Sequence, residues 1–212
     1  MRVIDLSHPI QPGMPLFPGT PGPRLEPLAS LEREGYVEQW MGMASHTGTH
    51  IDAPAHLLPG GRGLEAFPAG HFVGPGLVIP VRSETLIRLE DLAPYEARIR
   101  ESRFLLLHTG WDARWGAPSY FEAFPILETA AAEWLASFDL AGIGIDAPSL
   151  DPVDSQSLPN HRAFLSRGTC LIENLRSLGA IGPEPFLFSC LPLPFRETDG
   201  CPVRAVAMRP AP

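Results

Sequence analysis

Apolar positions along this chain come in short blocks rather than in long periodic stretches. Blocks at 2–6, 37–46, 72–81, 104–108, 142–145, 170–173, 185–189 and 203–208 hold apolar or β-forming residues between breakers, and each predicts an extended segment. Helical spacing is rarer. Its clearest case is 126–137, where Leu127, Ala131, Trp134, Leu135 and the following Phe138 share a face, and shorter helices are expected at 89–98 and 161–165. With 25 Pro and 20 Gly in 212 residues turns must be frequent, and the stretch 8–24 is punctuated too densely for regular structure to persist. Long ordered loops in compact domains tend to serve function, so 9–23 is a candidate arm or lid. No repeat and no convincing linker interrupts 1–212, and the expectation is one strand-led α/β domain.

Composition narrows the class of protein. A hydrophobic content of 44% with 19% charged residues is that of an ordinary globular chain. No apolar run approaches the roughly 18 residues of a membrane span. The opening Met1-Arg2-Val3-Ile4-Asp5-Leu6 is too short and too soon charged for a signal peptide, so neither membrane nor export is expected, and the cytoplasm is the expected location. A formal net charge of −8 disfavours nucleic acid as partner, because phosphate binding needs a basic field. All 16 basic residues are Arg, which excludes a Schiff-base lysine, a Ser-Lys dyad and a phosphate-loop lysine. Cys170, Cys190 and Cys201 form no Cys-x-x-Cys pair and an odd set; they are expected to be reduced, with Cys170 a small core residue. The chain also lacks a Gly-x-Ser-x-Gly elbow, a Gly-x-Gly-x-x-Gly turn and a His-Glu-x-x-His helix.

The chemistry is concentrated in His46-Thr47-Gly48-Thr49-His50-Ile51-Asp52-Ala53-Pro54-Ala55-His56. On a helix, advancing about 100° per residue, His46 and His50 would share a face while Asp52 and His56 would point elsewhere, and Pro54 would break the hydrogen-bond ladder. On an extended segment the even positions 46, 50, 52 and 56 project from one side, with Gly48 on the same side leaving room for an ion. His8, His71 and His108 stand alone and are expected to be structural. A metal site needs further ligands. His161, after a turn-rich stretch, and Glu173, at the end of the apolar run Cys170-Leu171-Ile172, are the best candidates. Glu173 could instead be an acid at a helix N-terminus, facing Asn174-Leu175-Arg176.

The His-x-Gly-Thr-His-x-Asp-x-Pro-x-His pattern at 46–56 resembles the signature of the metal-dependent cyclase family, which includes bacterial kynurenine formamidases and isatin hydrolases. Further blocks are similar and come in the same order: Thr109-Gly110-Trp111, Gly144 through Pro152, Ile172-Glu173-Asn174-Leu175 and Pro202 through Ala207. The likeness runs from about residue 3 to residue 208, nearly the whole chain.

The resemblance implies a swivelling β/β/α type of fold and a pair of metal ions. His46 and His50 would hold the first ion, Asp52 would bridge, and His161 with Glu173 would complete the second. His56 would stay free as general acid and base, a role its reference pKa of about 6.5 suits. Imidazole and carboxylate ligands without thiolate suit Zn²⁺ or Mn²⁺. Two such ions would activate water and polarise the carbonyl of an aryl formamide, as in the kynurenine branch of tryptophan catabolism; a cyclic amide such as isatin is the alternative substrate. A relative that binds metal without catalysis is the alternative from another class, and the presence of His56 speaks against it. The expected partners are a small-molecule amide and further copies of the chain, as a homodimer or larger homo-oligomer. In the loop, Phe17-Pro18-Gly19-Thr20 stands where kynurenine formamidases commonly carry Trp-Pro-Gly-Asp. Phe17 is therefore the candidate substrate-binding aromatic, with a loop-plugging role as the alternative, and Trp111 and Trp115 are expected to pack.

Overall fold

The computed structural model describes residues 1–81 and 85–210. The strands in chain order are β1 (Arg2–Asp5), β2 (Arg24–Ala29), β3 (Glu38–Gly42), β4 (His50–Asp52), β5 (Val73–Pro80), β6 (Leu86–Ile87), β7 (Phe104–His108), β8 (Ile126–Leu127), β9 (Gly142–Ile145), β10 (Cys170–Glu173), β11 (Phe186–Ser189), β12 (Gly200–Pro202) and β13 (Val206–Arg209). The α-helices are α1 (Leu89–Leu92), α2 (Glu96–Arg100), α3 (Thr129–Leu135) and α4 (Pro159–Leu165).

Nine strands form one sheet in the order β1-β13-β11-β5-β7-β9-β10-β4-β12. Its centre, β5-β7-β9-β10, is parallel, and antiparallel strands flank it on both sides. Side chains of alternating positions feed two cores. Leu105, Leu107, Ile143, Ile145 and Leu171 join Leu92, Ile99, Leu135 and Phe164 of the helices in one cluster. Phe104, Leu106, Cys170 and Ile172 point the other way and meet Ile4, Leu6, Ile51, Cys201 and Ala207. Strands from both ends of the sheet share this second cluster, so it is the inside of a curl.

Chain length demands that curl. β12 ends one side of the sheet while β13 is next to last on the other, about 34 Å away across a flat sheet with strands about 4.8 Å apart. The segment from Pro202 to Val206 spans at most about 14 Å. The ends must approach, and hydrogen bonds from the Val203 amide to the Thr49 carbonyl and from the Leu6 amide to the Ala205 carbonyl fasten them.

The expected α/β architecture is found, with local differences. The block at 72–81 is β5 and 104–108 is β7, but the block at 37–46 pairs, as β3, with the unforeseen β2. The block at 203–208 is strand only from Val206, where β13 begins, and its irregular first part, 203–205, follows the unforeseen β12. The helix expected at 126–137 starts only at Thr129, because Ile126 and Leu127 pair with β6. The one expected at 89–98 is interrupted by a 3₁₀ turn at Ala93–Tyr95, where Pro94 lacks the amide proton a continuous helix needs.

Gly144 shows how closely the inner face is packed. A Cβ there would lie 2.6 Å from Leu175 Cδ1 and 2.8 Å from Leu106 Cδ2, both on fully buried side chains with nowhere to swing. We expect Gly144→Ala to lower stability by about 1–3 kcal/mol. The check is a lower chemical-denaturation midpoint with an unchanged slope.

Candidate metal centre and its surroundings

β4 is three residues long, and its register against β10 sets Asp52 opposite Leu171 and His50 opposite Glu173. Facing residues of an antiparallel pair project from the same face, so His50, Asp52 and Glu173 emerge together on the helix side, where α4 presents His161. The other two histidines of the motif arrive differently. The sequence expectation of one extended segment from 46 to 56 is incorrect: His46 reaches in from the turn before β4, and His56 from the 3₁₀ turn Pro54–His56 after it. Pro54 redirects the chain at the first position of that turn, so convergence comes from two bends around a short strand. Gly48 leaves no room for an ion either. It takes φ 64°, and Met14 and Ile10 from the preceding loop occupy the space beside its Cα.

Two trios converge on Asp52. His46 Nδ1 is 2.8 Å and His50 Nε2 3.4 Å from Asp52 Oδ1. His161 Nε2 is 3.8 Å from Asp52 Oδ2 and 3.2 Å from Glu173 Oε1, and Glu173 Oε2 is 3.5 Å from His50 Nε2. All but His46 are buried. Neither Asp52 Oδ1 nor Glu173 Oε1 receives an aligned hydrogen bond, despite the nearby ring nitrogens. Buried carboxylate oxygens without donors are costly. A divalent cation between them and the imidazole lone pairs would satisfy both, and His46-His50-Asp52 and Asp52-His161-Glu173 each have ligand atoms close enough to share one ion. The residues fit a metal.

Each buried ring is held by its other nitrogen. His50 Nδ1 donates to the Gly48 carbonyl at 2.8 Å, which turns Nε2 towards the carboxylates. The same carbonyl receives the Asn174 side-chain amide at 3.0 Å, and Asn174 Oδ1 receives the hydroxyl of buried Tyr120 at 2.9 Å. Asp151 accepts from His161 Nδ1 at 2.7 Å and from the His161 and Asn160 amides at 2.9 and 3.1 Å. One carboxylate thus caps α4 and aims its histidine. Asp199, just before β12, has Oδ2 2.9 Å from His46 Nε2 and 3.4 Å from His56 Nδ1.

Electrostatics separates the histidines. Burial disfavours a charged His46, yet Asp52 and Asp199 outweigh it and raise the imidazole to about 9. His161 is likewise opposed by burial and raised to about 10 by Asp151, Glu173 and Asp52. His56 goes the other way: burial, joined by the nearby His46 and His161, lowers it despite Asp52 and Asp199. Asp52 is held below the ordinary carboxylate range by His46 and His50, although burial pushes it up.

The structure brings His46, His50, Asp52, His56, His161 and Glu173 into one cluster. Phe17 lies on the 9–23 loop, edge-on to Phe121 at 6.0 Å between ring centroids and 40% exposed. His8 stacks on Trp115 at 3.8 Å, and Trp111 donates to the Tyr120 carbonyl, so both tryptophans pack as expected. All three cysteines are free and buried. Sequence reading missed Asp199, Asp151 and Asn174 as supports. Asp151 sat unassigned in a turn-rich stretch, and Asp199, in Thr198-Asp199-Gly200, reads as an ordinary turn acid.

Comparison with known proteins shows the family. Residues 4–152 match the family described as "Putative cyclase". A kynurenine formamidase of Geobacillus thermodenitrificans is 32% identical over 204 residues, covering 95% of both chains. A solved structure described as a potential metal-dependent hydrolase with cyclase activity superposes with a TM-score of 0.83 at 29% identity, covering 100% of this chain and 99% of its own. Isatin hydrolase A of Labrenzia aggregata shares the fold, with a TM-score of 0.84 at 24% identity over 98% of this chain and 93% of its own. The chain belongs to the cyclase family.

Proton linkage gives a direct test of the metal fit. With no metal bound, the raised His46 and His161 stabilise the fold fully below about pH 6.5, and that contribution is lost as pH rises through about 9 and 10. Metal needs the same rings neutral, so its affinity runs the opposite way: it should climb between pH 7 and about 9 with protons released on binding. Titration calorimetry of the metal-stripped protein with Zn²⁺ in buffers of different ionisation enthalpy counts those protons. Asp151→Asn should weaken binding by about 10- to 100-fold in the same titration.

Proposed function

We propose that this protein is a dinuclear metal-dependent hydrolase that cleaves the C–N bond of an aryl formamide. The observation that carries this reading is Asp52, placed between two ligand trios, with His56 beside them on the more open side. Held by His46, His50 and Asp52 on one side and by Asp52, His161 and Glu173 on the other, a pair of Zn²⁺ or Mn²⁺ ions would supply Lewis acidity towards water and towards the amide carbonyl.

The remaining chemistry falls to side chains. His56 has Nδ1 turned towards Asp199, which leaves Nε2 free to take a proton from the water that adds to the formyl carbon. The same nitrogen returns the proton to the departing amine as the C–N bond breaks, yielding the free arylamine and formic acid, which releases its proton to solvent as formate. Its lowered pKa keeps the ring neutral, as a base requires at neutral pH. The buried carboxylates hold a negative field that favours cation over solvent, and the half-buried His46 and His56 mark where substrate enters. Phe17 supports an aromatic substrate: its ring is partly exposed on a loop whose Met14 packs against Gly48 of the metal motif. Thr20 replaces an acid that could pair with the amino-acid portion of N-formylkynurenine, so plain neutral aryl formamides are the expected substrates.

Two measurements test this reading. A chelator should abolish activity and Zn²⁺ or Mn²⁺ restore it, whereas His56→Ala should retain the metal and slow turnover by about 10² to 10⁴; loss of metal in that variant would make His56 a ligand. On one preparation, kcat/KM for a plain aryl formamide should equal or exceed that for N-formylkynurenine. A strong preference for N-formylkynurenine would show that the loop departure is immaterial, and a preference for isatin would move the assignment to cyclic amides.

A further inference from the structure

One carboxylate stands outside the two ligand trios yet touches both the metal motif and its free histidine. Asp199 precedes the edge strand β12, and its backbone is pinned. The Ala53 amide donates to its carbonyl at 2.8 Å, the Leu64 amide donates to the carbonyl of Thr198 at 3.2 Å, and Gly200 pairs with Asp52 across the strand register. Gly200 also clears the space that His46 uses, since a Cβ there would lie 2.7 Å from His46 Cε1. The side chain rises from this fixed point, 42% exposed, with a hydrogen bond from Ser45 and a single oxygen, Oδ2, shared by two imidazoles.

Which ring nitrogens it meets decides its role. His46 turns Nδ1 to Asp52 and Nε2 to Asp199. If Nδ1 is a metal ligand its proton must sit on Nε2, where the carboxylate accepts it. His56 turns Nδ1 to the same oxygen, and a proton held there leaves the lone pair on Nε2. An Asn at this position would keep one acceptor oxygen but lose the charge, and so would hold both rings more weakly. The two rings lie 4.2 Å apart between centroids, so a single acceptor between them fixes their mutual orientation as well.

We infer that Asp199 is a positioning residue that sets the tautomers of a metal ligand and of the proton-transferring base with one oxygen. The proposal rests on the hydrolase reading above for the meaning of His56. The same three side chains could instead enclose a further cation, since their ligand atoms are mutually close. Ion counting separates the two.

The experiment uses zinc-loaded protein labelled with ¹⁵N-histidine. Proton–nitrogen correlation spectra at a pH where His56 is neutral, assigned by comparison with His56→Ala, should show His56 protonated on Nδ1. In Asp199→Ala its proton should move to Nε2, with the zinc content unchanged. In the amide assay Asp199→Ala should lower kcat by about 10- to 100-fold with KM within about threefold, and Asp199→Asn should recover part of the loss through its remaining acceptor. In the His56→Ala background, Asp199→Ala should slow turnover by less than it does in the wild type, because the share that acts through His56 is already lost and only the share through His46 remains. An unchanged His56 tautomer, loss of an ion in Asp199→Ala, or a full additional rate loss in the His56→Ala background would each overturn the proposal. Wild-type protein inactive on every amide would sink the hydrolase reading instead, and the tautomer spectra would still decide the role of Asp199.

Discussion

A fully buried carboxylate, Asp52, faces three imidazoles at the rim of a curled sheet, and much of the surrounding structure exists to make that tenable. An isolated ionised group in such a place would cost many kcal/mol and would neutralise itself. His46 and His50 hold Asp52 charged. The strand that carries it is only three residues long, but it is paired on both sides, by β10 and β12. Register is therefore critical. A slip of β4 by one residue would turn Ile51 into the site and His50 and Asp52 into the inner core.

Support is layered outward from this point. His50 is set by the Gly48 carbonyl, which is set by Asn174, which is set by Tyr120. His161 is set by Asp151, which takes its own hold from the first turn of α4. Asp199 does the same for His46. Charged clusters of this kind are stable only when every member has a partner, since a half-satisfied buried network is worse than none. Where partners run out, at Asp52 Oδ1 and Glu173 Oε1, the arrangement asks for a cation.

The division between rigid and variable parts follows from this. Groups proposed to carry the chemistry stand on strands, a helix and short turns whose backbones are hydrogen-bonded on both sides. The candidate substrate contact, Phe17, stands on the irregular loop between β1 and β2, which makes few backbone hydrogen bonds of its own. Such a loop can change its aromatic and its charge without disturbing the ligands.

The sequence by itself determined the candidate site residues and most of the elements. His46, His50, Asp52 and His56 are legible because four such groups in eleven residues have few structural uses, and β5, β7, β9 and β10 because buried parallel strands read as uninterrupted apolar runs. His161 and Glu173 were legible as candidates through their residue type and the run that Glu173 ends. The tertiary structure decided how these groups meet. Two bends around β4 bring His46 and His56 together, where periodicity had suggested one straight segment, and Gly48 proved to serve the turn and Met14 rather than an ion. The pairing of β2 with β3, the closure of the sheet and the place of Asp199 beside His46 were also settled only in three dimensions. The reason is physical: local pattern records what each residue needs, burial or a charge partner, but a contact between residues 153 positions apart is chosen by the register and curl of the whole sheet.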